Sequence, residues 1–171
     1  MSDAAPATTS LPYTDTKPAG HADFYFAINA TFRFILRHRG EQALRSYWRD
    51  LGGSYYRPVS QNWAQHGLPA VADYWRAFFK AEPGAGVEVV ESADEVRLEV
   101  TRCPAIHHLR EHAREIVPQF CQHCHFVSEA IAAPAGLTAR VCGGNGACTQ
   151  RFFKRTAHTA PQNLEDIATA S

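Results

Sequence analysis

Apolar residues recur at steps of three and four between residues 22 and 38. Phe24, Ala27, Ile28, Thr31, Phe34 and Ile35 fall on one side of a helix. Arg39-Gly40 interrupts the run, and residues 41–51 resume it with Leu44, Tyr47 and Trp48 on one side. Gly52-Gly53 is expected to end this second helix, as glycine does beyond a helix C-terminus. Residues 54–66 read as a third helix, against which Pro58 speaks. Pro69 fits the first turn of a fourth, reaching about residue 80. Its Tyr74, Trp75, Phe78 and Phe79 read first as core material and second as the wall of a pocket for a planar ligand.

The period then changes to two. Val87, Val89 and Glu91 alternate with Glu88 and Val90. After Ser92-Ala93-Asp94, residues 95–101 place Val96, Leu98 and Val100 on one face, which predicts a hairpin. Cys103-Pro104 ends the strand. Residues 105–115 read as a helix with Ile106, Leu109, Ala113 and Ile116 inward. Pro118 is expected to open another helix over 119–132, stopped by Pro134-Ala135-Gly136. Residues 137–142 and 148–153 alternate around Gly143-Gly144-Asn145-Gly146, a second hairpin. The fold class is therefore α+β: a helical N-terminal half packed with an antiparallel sheet built from two β-hairpins flanking two helices. Residues 20–154 form the single domain. Residues 1–19 and 155–171, lacking apolar period, are expected to be flexible tails.

Composition narrows the function classes. Lys and Arg total 17, as do Asp and Glu, so the net charge is zero. Nucleic acid as a partner is thereby disfavoured, since its recognition needs clustered positive charge. No stretch approaches a membrane span, and the N-terminus lacks the basic and apolar regions of a secretory signal. A cytoplasmic location, with reduced thiols, is expected. The aromatic N-terminal helices either cover the sheet or form the face of a homo-oligomer.

The five cysteines, Cys103, Cys121, Cys124, Cys142 and Cys148, all lie within residues 103–148. An odd, clustered set points to thiol chemistry or metal rather than to a disulfide framework. Cys121 and Cys124 make a C-x-x-C pair followed by His125. Counting from Pro118, Cys121 falls near the end of the first helical turn, where the helix field lowers a thiol pKa. Steps of three and four put Cys121, Cys124 and His125 on one face, so His125 is positioned to take the Cys121 proton, while His123 points elsewhere. Cys142 and Cys148 share a face if they pair directly. They fall on opposite faces if Asn145-Gly146 is a two-residue turn. His108 and His112 have metal-ligand spacing without an intervening Glu, and read as solvated or capping histidines. No cofactor follows from this pattern. If a metal is present, zinc or an Fe–S group would use Cys121, Cys124, Cys142 and Cys148.

The stretch resembles the L-2-amino-thiazoline-4-carboxylic acid hydrolase family over residues 85–154. Val100-Thr101-Arg102-Cys103-Pro104 looks like the family's strand-ending cysteine, and Cys121 matches its helix cysteine. Gly136 precedes the strand, and Gly144, Cys148 and Phe152 match its G-x-x-x-C-aromatic element. Cys124 stands where the family often has Asp. The resemblance implies a cysteine-dependent hydrolase opening a small cyclic amidine or thiazoline. Cys121 would be nucleophile, His125 base, and Cys124 and Cys148 further members of the site. Arg140 or Arg151 would hold a substrate carboxylate, and Gly144 and Asn145 would line the substrate position. The competing reading is a non-enzymatic zinc, Fe–S or thiol redox module.

Overall fold

In the computed structural model, residues 22–82 and 84–171 are described, so the expected tail over residues 1–19 lies outside them. Helix α1 spans Ala22–Asp50, and its interruption falls at Gly40, where φ is 81° and ψ 175°. Only glycine adopts that conformation without strain, which is why Arg39-Gly40 breaks the period. Gly52-Gly53 does not end the second segment with a glycine cap. A wide π-type turn, Leu51–Tyr55, carries the chain directly into α2 (Arg57–His66). Pro58 sits in the first turn of α2, where it removes no helical bond. Helix α3 (Leu68–Lys80) starts with Pro69 in its first turn, as expected.

Strands β1 (Gly86–Glu91) and β2 (Glu95–Arg102) form the first hairpin, and β3 (Leu137–Gly144) and β4 (Ala147–Lys154) the second. The hairpins join antiparallel through β2 and β4, giving the sheet order β1-β2-β4-β3. Val96, Leu98 and Val100 of β2 and Phe152 of β4 are buried against the helices. Helix α3 lies on β1 and β2, and α5 on β3. Trp63 of α2 meets Phe152 edge-on at 5.6 Å, and Phe32, Leu44 and Trp48 of α1 complete a sealed aromatic core. The expected α+β architecture is thus present.

Between the hairpins, two helices start and stop differently from expectation. Helix α4 covers Pro104–Glu111 only. Ala113 takes φ 50°, and the chain then extends past Glu115, held by buried Asn29, which donates to the Glu115 carbonyl (2.8 Å) and accepts from the Val117 amide (3.1 Å). Residues 118–121 form turns, so α5 begins at Gln122 and runs to Ala132.

The expected C-terminal tail is instead docked. Gln162 brackets β3 by accepting from the Val141 amide (2.9 Å) and donating to its carbonyl (3.0 Å). A short strand β5, Ile167–Ala168, then pairs parallel with Gly143 and Gly144. Ile167 and Ala170 are buried. Two well-placed apolar residues and a few edge hydrogen bonds suffice to dock the segment, and neither produces a periodic signal.

Gly52 shows how closely the helices meet. A Cβ there would lie 2.5 Å from the Val127 carbonyl and 2.7 Å from Ala130 Cβ, whereas at Gly53 nothing lies within 4 Å. Gly52→Ala should therefore cost about 1–3 kcal/mol by overpacking. Gly53→Ala should stay within about 0.5 kcal/mol of the parent. Denaturant unfolding of both variants checks this; equal effects would contradict the contact.

Candidate functional site

Four of the five cysteines line one cavity of about 150 Å³: Cys103, Cys121, Cys124 and Cys148. They arrive from three segments. Cys103 is the N-cap residue of α4, at the point where β2 ends, and its amide donates to the Gly146 carbonyl (2.8 Å). Cys121 is the N-cap of α5, and its Sγ accepts the Asn145 amide hydrogen at 3.2 Å. Cys124 follows one turn into α5. Cys148 lies on β4 opposite Val100, with Gln150 Nε2 3.9 Å from its Sγ. Aromatic residues of α1 and α3, among them Tyr25, Trp75 and Phe79, close the other side. The expected meeting of Cys121 and Cys148 in one pocket is found. The second reading of the α3 aromatics, as pocket wall, holds for Tyr74, Trp75, Phe78 and Phe79.

Glycine makes the approach feasible. A Cβ on Gly144 would stand 3.2 Å from the Cβ of Cys121 and 2.9 Å from the Ala168 carbonyl. The turn itself is the two-residue kind. Gly144 pairs with Ala147, and Asn145 and Gly146 take φ of 54° and 115°. Gly143 is then opposite Cys148, and Cys142 opposite Thr149. Alternation sends the exposed Cys142 to the other face. Of the expected set Cys121, Cys124, Cys142 and Cys148, Cys142 therefore stands apart, and Cys103 lines the cavity instead.

Three further expectations are overturned. His125 does not line the thiol cavity. Cys121, Cys124, Val127 and Ile131 form one side of α5, and His125, Phe126 and Glu129 form another that faces a separate cleft. His123 lines the thiol cavity instead, its ring 5.2 Å from Phe32. Arg140 belongs to the cleft on the His125 side. Arg151 lies on the outer face of the sheet, paired with Glu95, because its neighbours Gln150 and Phe152 point inward. Neither arginine reaches the cavity wall, where Gly144 does sit. Asn145 contributes its backbone amide to Cys121, and its side chain accepts from Arg110.

The electrostatics also differ from expectation, because burial outweighs the hydrogen bonds and charge that favour the thiolate. Cys121 is pushed above the ordinary thiol value chiefly by burial. The Asn145 amide and the Arg110 guanidinium act against this, and a charged Cys103 would add to it. Cys103 is raised by burial against the opposing amides of Ile106 and Ala105 and the charge of Arg110. Cys148 is pushed up to about 12 by burial and by repulsion from an ionised Cys103. Cys124 is raised well above the usual value by burial and by the other three thiols. Without a cation among them, all four are neutral thiols at pH 7.

Beside the cavity, and sharing Cys103, Ile106, Gly144, Gly146 and Ala147 with it, is an open cleft flanked by Arg102, His107 and Arg110. Arg110 donates from Nε (3.0 Å) and Nη2 (2.9 Å) to the Ser171 carbonyl. His107, His108 and Glu111 bring three ligand atoms within 4.8 Å of one another here, but Arg102 donates to His107 Nε2, and its charge opposes a cation. His112 Nδ1 bonds the His108 carbonyl at 2.9 Å, the capping role expected of it.

Cys103, His123 and Arg110 are the site residues that sequence reasoning did not assign. The V-x-x-C-P strand end was the available signal for Cys103. His123 and Arg110 had none.

No family model matches the chain, and no curated protein matches it. Among the described residues no helix is long and apolar enough to cross a membrane.

Two measurements check the site. Exposed Cys142 should react with a maleimide within minutes in the folded protein, and the four partly buried cavity thiols distinctly more slowly. Mass mapping that finds a cavity cysteine modified first would contradict the burial. His123 and His125 are both lowered by burial to about 4, from an ordinary 6.5. Above pH 6.5 both states of the chain carry neutral imidazoles. As pH falls from 6.5 toward 4, only the unfolded chain takes up the protons, so stability declines by at most about 1.4 kcal/mol per pH unit per histidine. Denaturant titrations across that window should show this slope, reduced by about half in His125→Gln.

Proposed function

We propose that the protein holds an iron–sulfur cluster on Cys103, Cys121, Cys124 and Cys148. The supporting observation is the convergence of four thiols from three chain segments on one cavity. One nucleophile needs one thiol and a redox pair needs two; four cysteines are the set that binds a zinc ion or a cluster. The donor set fits. Amide hydrogen reaches the sulfur of Cys121, and amides of Ala105 and Ile106 favour an ionised Cys103, the kind of support a cluster's thiolates receive. Gln150 stands in the same relation to Cys148. A bound cation would invert the local electrostatics and ionise thiols that are neutral without it. A single tetrahedral zinc fits less well. Its sulfurs would be about 3.8 Å apart, yet among the described residues no three cysteine sulfurs lie within 4.8 Å of one another. The cluster would supply one-electron redox chemistry, while the protein would supply the apolar wall and the Arg102/Arg110 cleft as approach.

A second reading keeps the hydrolase. Two observations favour it: Gln150 Oε1 is buried without a hydrogen-bond partner, as an acceptor for a ring N–H would be, and the cavity suits a benzene-sized ligand. Under this reading Arg110, not Arg140 or Arg151, would receive the substrate carboxylate.

Anaerobic reconstitution with ferrous iron and sulfide separates the two. Iron and acid-labile sulfide should be retained in near-stoichiometric amounts, lost several-fold in Cys103→Ser, Cys121→Ser, Cys124→Ser and Cys148→Ser, and unchanged in Cys142→Ser. Failure to retain iron, together with turnover of 2-amino-thiazoline-4-carboxylate that disappears in Cys121→Ala, would establish the second reading instead.

A further inference from the structure

Two residues expected beside the thiols, His125 and Arg140, stand together on another side of α5. They line an open cleft of about 440 Å³ with Arg49, Arg155 and Glu129. Glu129 organises it. Its carboxylate accepts from Thr138 Oγ1 (3.0 Å), the Ala139 amide (2.7 Å), Arg140 Nη1 (3.2 Å) and Arg155. Arg140 is fixed from its other edge by the Ala160 carbonyl (Nε to O, 3.2 Å). Arg49 enters from α1 and lies over the Phe126 ring, its Cζ 4.7 Å from the centroid, with no carboxylate partner among the described residues.

Three guanidinium groups against one carboxylate leave two positive charges uncompensated. A second observation is independent of charge. His125 is 7% exposed, and its Nδ1 is buried with no hydrogen-bond partner. Buried polar groups in folded proteins are ordinarily paired, so an unpaired nitrogen on a residue of the cleft wall sets this region apart from ordinary packing. The arginines are held by contacts that survive without a ligand, so the site is organised in advance.

We infer that this cleft is a binding site for a doubly charged oxyanion of phosphate chemistry, either free phosphate or the phosphoryl group of a small molecule. Arg49 and Arg140 meet its oxygens through charge-assisted hydrogen bonds, and the His125 imidazole forms part of the cradle wall beside them. The inference does not depend on what the cysteines hold, because a different side of α5 carries it.

Calorimetric titration of the metal-free protein with inorganic phosphate, and separately with glycerol 3-phosphate, tests it. Saturable one-to-one binding is expected, weakened at least tenfold in Arg49→Gln and in Arg140→Gln, and unchanged in Arg151→Gln on the outer face of the sheet. Tighter binding of the ester than of phosphate would identify a phosphoryl-bearing small molecule as the ligand; the reverse order would identify the free ion. Arg49 is exposed, so its replacement leaves the core intact, and a thermal melt verifies folding. No saturable binding of either probe, or equal binding by the parent and a folded Arg49→Gln variant, would overturn the inference.

Discussion

Two hydrogen bonds tie the tip of the β3–β4 hairpin to the starts of the helices it touches. The Cys103 amide donates to the Gly146 carbonyl, and the Asn145 amide donates to Cys121 Sγ. Both bonds use backbone groups that a tight two-residue turn leaves free. The close approach depends on Gly144, where a side chain would crowd Cys121 and collide with the Ala168 carbonyl. This clamp brings the N-terminus of α4, the N-terminus of α5 and strand β4 to one point. Cysteines spaced 18 and 24 residues apart along the chain, by their numbering, thereby come to face one cavity. The C-terminal segment reinforces the clamp: β5 lies beside Gly143 and Gly144, and Ser171 bonds both Asn145 and Arg110.

The location of α5 explains why the chemistry divides in two. It is wedged between α1 and β3, so residues on different sides of one helix face different surroundings. One side presents thiols to an apolar cavity. The other presents His125 and Glu129 to arginines from α1, β3 and the segment after β4. The cavity is poor in charge, and burial keeps its thiols neutral until something cationic stabilises the thiolates. The cleft is rich in charge, and Glu129 leaves it with surplus cation. The thiol-lined cavity and the arginine-lined cleft are thus separated by the thickness of a helix.

Much of this was legible in the sequence. The period of two located both hairpins, and Pro69 marked a helix start, whereas Pro58, which spoke against a helix over residues 54–66, sits in the first turn of α2. Clustering along the chain pointed to the four cysteines that line one cavity, and with them to Cys142, which does not. What escaped depended on offsets of a few residues. Placing the start of α5 at Pro118 instead of Gln122 made Cys121 a first-turn residue rather than an N-cap. Treating steps of three and four as one face merged His125 with the thiols, although Cys124 and His125 are adjacent and diverge by a full helical step. Cys142 depended on a loop length that sequence leaves open. The raised thiol pKa values follow from burial by α1 and α3, which sequence cannot register against a site in a distant part of the chain. The docking of residues 155–171 rests on isolated residues such as Gln162 and Ile167.

The central claim is that the four sulfurs act as a single ligand set. Iron K-edge X-ray absorption on the reconstituted protein tests it most directly. The account predicts a first coordination sphere of sulfur alone and a short iron–iron vector, both abolished by Cys103→Ser. Iron bound through nitrogen and oxygen, with no iron–iron vector, would contradict it.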